Sequence, residues 1–170
     1  DVYERQALRY PIGISTDLYA TGWNNGRRMI FYNGLIYAFY SSDNKIYYIT
    51  SQDTGKTWTL PEYIGEGRYP VCDKIENGII ALWVNTNTIY YRLYTDNNWG
   101  EISTIPPYSD FNHPHALWLS PPSIKTFRDT VHLFLSGTYR YIDGPSGLDA
   151  LWTYGYFSVN NPIPVWERID

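Results

Sequence analysis

Residues 137–149, GTYRYIDGPSGLD, concentrate functional groups that the rest of the chain spreads thinly. Tyr139 and Tyr141 offer ring faces, Arg140 a forked cation, and Asp143 and Asp149 hydrogen-bond acceptors. Such a set suits a sugar, whose C–H faces stack on rings while its hydroxyls or carboxylate take the polar groups. The plainer alternative is a solvated loop in which Gly144-Pro145 and Gly147 merely turn the chain. His113 and His115 flank Pro114 on an extended segment and share a face. Zinc requires three or four ligands, and nothing in the sequence brings the nearest donors, Asp110 and Cys72, close to this pair. The two histidines are therefore read as a hydrogen-bonded pair at the rim of a binding face, with no metal and no cofactor. His132, among apolar neighbours, is expected to be a satisfied core residue.

Composition limits the scaffold that could hold these groups. Of 170 residues, 18 are Tyr and 7 are Trp, while 18% are charged. Tyr, Trp, Ile, Val and Thr at this density favour strands. Thirteen Gly and eleven Pro supply many turns, and capped helical patterns are missing, so an all-β chain of short strands is expected. A net charge of −4 leaves no basic stripe to neutralise phosphates, which argues against nucleic acid. The single Cys, Cys72, excludes an intrachain disulfide. No apolar run reaches membrane-spanning length, and the first residues are not expected to act as a signal peptide.

Self-similarity organises the chain. Segments beginning at Asn33, Asn77 and Asp129 each run turn, apolar strand, loop, Tyr-rich strand, turn, Trp. The first two share Asn-Gly turns (Asn33-Gly34, Asn77-Gly78), a strong hairpin signal, and an Ile-Tyr-Tyr centre. The spacing is 44 residues from Asn33 to Asn77 and 41 from Trp58 to Trp99. Propeller blades of four antiparallel strands take roughly 40–50 residues. The periods agree. With strands a to d counted outward from the axis, residues 1–24 make a partial blade of outer strands, and blades follow at 25–66, 67–107 and 108–170.

One turn is unusually explicit. SQDTGKTW, residues 51–58, has the form Ser-x-Asp-x-Gly-x-Thr-Trp. Ser51, Asp53 and Thr57 can bond nearby N–H groups, Gly55 supplies a positive φ, and Trp58 is expected to open the next strand and bury its indole. This stretch resembles the Asp-box of the sialidase-like, or bacterial neuraminidase repeat, β-propellers. Weaker versions stand at 15–23, 94–99 and 158–166. In that family the Asp-box is a structural turn away from the active centre, so the resemblance implies fold more than function.

Closed propellers need about four to eight blades, and an open end exposes unpaired edges. Three and a half blades are therefore expected to form part of a six- or seven-bladed ring, completed by the same polypeptide or by a second chain. The alternative, a four-bladed monomer closed by its own termini, needs inner strands for the first half-blade that the sequence does not show. In up-and-down blades the b–c loops (Ser41–Lys45, Asn85–Thr88, Gly137–Asp149) and the d–a connections (Pro61–Pro70, Ile105–Pro114) share one face. That face is expected to carry function.

The resemblance also implies a test for catalysis. Family sialidases place an arginine cluster on the substrate carboxylate, with a Tyr–Glu nucleophile pair and an Asp acid in an early blade, a variant of glycosidase logic. Arg68-Tyr69-Pro70 is similar to the family's Arg-Ile-Pro motif, but the loop that follows, Asn85-Thr86-Asn87, holds no Asp. Asp43 lies where the acid would belong one blade earlier, where the inner strand begins Arg27-Arg28-Met29-Ile30 without Pro. Arg9-Tyr10-Pro11 falls in a c strand. Arg28, Arg68 and Asp43 remain catalytic candidates that no single blade unites. The reading that follows is a non-catalytic module for glycan or protein-surface recognition in an extracellular, cell-surface or virion protein. The alternatives are a fragment of a sialidase-type exo-glycosidase and a structural scaffold without a small ligand.

Overall fold

A computed structural model describes residues 15–16, 26–110, 115–140 and 148–169, with Arg140, Leu148 and Asp149 described by backbone alone. The described residues are all-β, without helix, in three antiparallel sheets. The first holds β1 (Met29–Tyr32), β2 (Leu35–Ser42), β3 (Lys45–Ser51) and β4 (Glu62–Glu66) in that order. The second holds β5 (Arg68–Ile75), β6 (Gly78–Asn85) and β7 (Thr88–Thr95), with β8 (Asn98–Trp99) and β9 (Ser103–Ile105) both paired to β7. In the third, β10 (His115–Leu119) and β11 (Ser123–Phe127) both pair with β12 (Thr130–Arg140). β13 (Leu148–Ser158) and β14 (Asn161–Ile169) complete it. No described helix is long and apolar enough to cross a membrane.

Tight turns explain the meander. Asn33-Gly34, Asp43-Asn44 and Asp96-Asn97 all have positive φ at both central residues, the two-residue hairpin geometry that matches strand twist. The second Asn-Gly pair behaves differently from the first. Its turn residues are Glu76-Asn77, and Gly78 already opens β6. A Cβ on Gly78 would lie 2.0 Å from the Tyr94 carbonyl oxygen, so glycine is needed there for close strand approach, not for a turn.

The sheets stack face to face. On one face of the middle sheet, Cys72, Ile79, Ala81 and Trp83 meet Tyr37, Phe39, Ile46 and Tyr48 of the first. On the other face, Val71, Ile80, Leu82 and Val84 meet Val131, Leu133, Leu135 and Leu151 of the third. β6 is thus buried on both faces, which is why GIIALWVN reads as an unbroken apolar run. The far face of the first sheet buries Ala38, Tyr40 and Ile49 beside Tyr47 and Trp58. The far face of the third is open and aromatic: Phe134 stacks on Trp152 at 5.5 Å, next to Tyr154 and Tyr156.

One carboxylate joins all three sheets. Asp73 of β5 accepts from Arg27 Nη1 at 2.7 Å, before β1, and from Lys125 Nζ at 3.1 Å and Thr126 N–H at 2.8 Å in β11. Its own neighbour's N–H, at Lys74, adds a fourth bond at 3.0 Å. Burial pushes the carboxyl up, but these donors and the Arg27 charge outweigh it and hold Asp73 below the usual carboxylate value.

Two expectations about connections need correction. Trp58 does not open a strand; β4 starts at Glu62, so the third-to-fourth connection occupies 52–61. Trp58 is half-buried and fastens the turn through an Nε1–H bond to the Gly55 carbonyl at 3.1 Å. The stretch Pro61–Pro70 is correspondingly not a loop, because it holds β4 and the start of β5.

Candidate functional site

The start of β5 is the most unusual backbone in the described structure. Its register slips between Arg68 and Val71, and Tyr69 sits at φ 58 in the bulge. An aromatic residue in the left-handed region costs about 1–3 kcal/mol and persists only where its surroundings force it. The forcing elements are visible. Trp83 lies across Gly65 and Gly67, and its Nε1–H donates to the Glu66 carbonyl at 2.7 Å. A Cβ on Gly65 would stand 2.3 Å from the indole. Gly67, at φ 141, donates its N–H to the Asn44 carbonyl at 2.8 Å. Pinned from both sides, the chain enters β5 with Arg68 exposed and Tyr69 half-buried at the turn end of the sheets.

There a cleft of 390 Å³ opens where the three sheets meet. Arg68, Tyr69, Asn44, Asn85, Thr86 and Trp118 line it, above the aliphatic Val84 and Leu119. Leu119 N–H donates to the Thr86 carbonyl at 2.9 Å, which fastens the third sheet to the turn of the second. Trp118 is 53% exposed. The described lining therefore combines one cation, two amides, a hydroxyl and two aromatic rings. It includes no carboxylate. Paired acid and base groups are what glycoside cleavage asks of a site, whereas rings with amides and a cation suffice to bind a sugar.

The residues expected from sequence scatter around this cleft. Arg68 lines it. Asp43 is exposed in the β2–β3 turn at φ 51, and among described lining residues it is its neighbour Asn44 that reaches the cleft. Arg28 does not converge with them. It lies beside Cys72, four residues along β5 from Arg68, on the order of 10 Å at strand spacing, and burial pushes its guanidinium down. The 137–149 segment is not a loop throughout: β12 and β13 pair as far as Arg140 and Leu148. Tyr139, expected on a ligand face, instead points into the core at 0% exposed, with burial pushing its phenol up to about 12. The strand's alternation decides this, because Tyr139 shares the face of Val131, Leu133 and Leu135. Backbone register sets Arg140 opposite His115, which is exposed, and Asp149 opposite Tyr139. His113, Tyr141 and Asp143 lie outside the described residues.

His132 is half-buried on the open face of the third sheet, where its Nδ1 meets the Tyr154 hydroxyl at 2.6 Å; it is satisfied, but not in the core. In the turn at 51–58, Asp53 Oδ1 accepts N–H bonds from Lys56 at 2.9 Å and Thr57 at 2.8 Å. Its Oδ2 accepts the Thr57 hydroxyl at 2.7 Å, and Ser51 Oγ accepts Gly55 N–H at 2.9 Å. The Thr57 bonds lead in lowering the Asp53 carboxyl to about 2.

Sequence reading passed over Asn44, Trp118 and Asp73, and took Tyr69 only as the middle of the Arg68-Tyr69-Pro70 motif. A Pro two residues into β5 was the available signal for the Tyr69 bulge, since Pro disturbs a ladder. Asp73 in the run Val71-Cys72-Asp73 was a charge inside a strand, a pattern that calls for buried partners.

No family model matches the chain, and no curated protein matches it in sequence. In fold it is similar to a solved structure titled Bacteroides ovatus Xyloglucan PUL GH43B, at TM-score 0.51 and 10% identity. The match covers 83% of this chain and 27% of that one, so the chain spans about a quarter of its length. That structure is of propeller type. The likeness, with the three antiparallel sheets, makes this an all-β chain of propeller type.

Proposed function

We propose that this chain is a non-catalytic propeller module that recognises a glycan, in an extracellular, cell-surface or virion protein. The observation that carries the reading is the cleft at the turn end, with Arg68, Tyr69, Trp118 and two amides and no carboxylate in its described lining. Calorimetric titration with mono- and oligosaccharides tests it. Removing an exposed stacking ring costs roughly 0.5–1.5 kcal/mol, so Trp118→Ala should weaken binding severalfold and leave the melting temperature unchanged. Glycans that bind this variant and Arg68→Met as they bind the native chain would refute the assignment.

The likeness to a protein titled GH43B favours a second reading, a fragment of a glycoside hydrolase. Asp43 and Glu66 then become the carboxylates to examine, since both stand at the turn end. Turnover of aryl glycosides abolished by Asp43→Asn or Glu66→Gln would favour that reading over the first.

We infer also that residues 25–66, 67–107 and 108–170 are successive blades, that 1–24 is a partial blade, and that the ring is larger. The face that the first sheet turns to the second, and the second to the third, is covered in each case by the next sheet. The corresponding face of the third sheet is exposed. Its occupant is a further antiparallel blade with an aliphatic face, from the same polypeptide or a second chain. Native mass spectrometry of the source particle counts the blades, with six or seven expected from sequence. A lone 19.9 kDa monomer in its native source sinks the larger ring.

A further inference from the structure

We propose that the binding site continues outward from the cleft into a groove between the first and second sheets, and that it takes an oligosaccharide whose units beyond the first are neutral. This rests on the glycan reading above and adds the length and charge of the ligand. The groove, of 270 Å³, is lined by Tyr63, Glu66, Trp83, Asn85, Tyr90 and Ile102. Asn85 also lines the cleft, so the two spaces share a wall.

The end of β6 explains the pairing. Side chains alternate along a strand, so Val84 faces the third sheet and floors the cleft, while Trp83 faces the first and floors the groove. Asn85, at the strand's last position, borders both. The Gly65–Gly67 segment that seats Trp83 also carries Glu66 and Arg68 to its two sides. The two compartments consequently differ in sign. A terminal carboxylate is welcome beside Arg68, and an acid farther along meets Glu66.

The groove's surface suits sugar rings. Tyr63 borders the groove only from behind, because its ring lies on the far face of the first sheet, 51% exposed and edge-on to Tyr47 at 6.1 Å. Tyr90 is half-exposed and stacks parallel on Trp83 at 6.2 Å. Ile102 adds an exposed apolar lip. A flat ring for a C–H face, Tyr90, beside a carboxylate for hydroxyl donors, Glu66, is the combination that binds a neutral sugar in a shallow site.

The test measures affinity of the full chain for gluco-, xylo-, galacto- and manno-oligosaccharides of one to five units, each with and without a uronic acid at the end or inside. Affinity should rise at least tenfold from one unit to three. Tyr90→Ala should cancel most of that rise and change binding of the single unit less than twofold. An internal uronic acid should weaken binding, and Glu66→Gln, which keeps the side chain's shape, should restore it. Single-unit binding without a gain from length overturns the groove and leaves the cleft standing. A gain that Tyr90→Ala and Glu66→Gln both leave intact overturns it too, because the added units then lie elsewhere. Binding of none of these sugars removes the glycan reading itself.

Discussion

Replacing Asp73 by Asn tests how far three sheets depend on one carboxylate. The side chain is 2% exposed and accepts four bonds. Asn keeps one acceptor oxygen and turns an amide N–H₂ toward donors that had an oxygen. One buried backbone N–H, at Thr126 or Lys74, then loses its partner, at about 1–3 kcal/mol. The Arg27 and Lys125 contacts add little, about 0–1 kcal/mol each, since these side chains are 48% and 69% exposed. The expected loss is about 3 kcal/mol, the low end for breaking a buried ion pair. At roughly 2–4 °C per kcal/mol for a chain of this size, calorimetry should record a melting temperature lower by roughly 10 °C. The pH dependence carries a sign. The folded carboxyl lies below its unfolded value of about 3.9, so its contribution is complete above that value and is lost as pH falls through the folded one. The gap between native chain and variant should hold constant from pH 7 to about 5 and shrink below about 4. A loss under about 1 kcal/mol, or a gap that widens on acidification, refutes the clamp.

Gly65→Ala drives a Cβ to 2.3 Å from the Trp83 ring; overpacking of this kind costs about 1–3 kcal/mol, readable by urea denaturation and by red-shifted Trp emission. Asp53 should titrate by carboxyl-carbon NMR with a midpoint near 2, so what this turn contributes persists to strong acid; a midpoint near 4 would mean that the N–H bonds are not made in solution. Trp58→Ala removes a half-buried ring and should destabilise by about 2 kcal/mol, short of the 3–5 kcal/mol of a fully buried Trp. A loss at the upper value would place the indole deeper than its Gly55 contact allows.

What was legible in the sequence was what local chemistry repeats. Asn33-Gly34 announced a hairpin, Ile46-Tyr47-Tyr48 and Ile89-Tyr90-Tyr91 announced equivalent strands, and Ser51–Trp58 announced a tied turn; each signal sits within a few residues. Tyr139 shows where such reading fails. Its polar neighbours suggested a surface loop, but the face it occupies is set by an eleven-residue register with β13 that no local pattern displays. The cleft was half legible. Arg68-Tyr69-Pro70 drew attention, whereas Trp118 and Asn44 reach it through contacts between sheets that span tens of residues.

The last strands of each sheet are poor templates for a foreign strand. β14 places Pro162 and Pro164, which have no N–H to offer, beside charged Glu167 and Arg168. β4 has five residues and a Glu at each end. β8 and β9 are broken apart at Gly100, and Arg92 caps the Gly100 carbonyl at 2.7 Å. Short, proline-bearing and charged edges resist strand-by-strand addition, the route to fibrils. The exposed aromatic face of the third sheet has no such guard. Aggregates of the isolated chain should therefore be sheet-on-sheet and reversible by mild detergent, and should not bind dyes specific for cross-β fibrils.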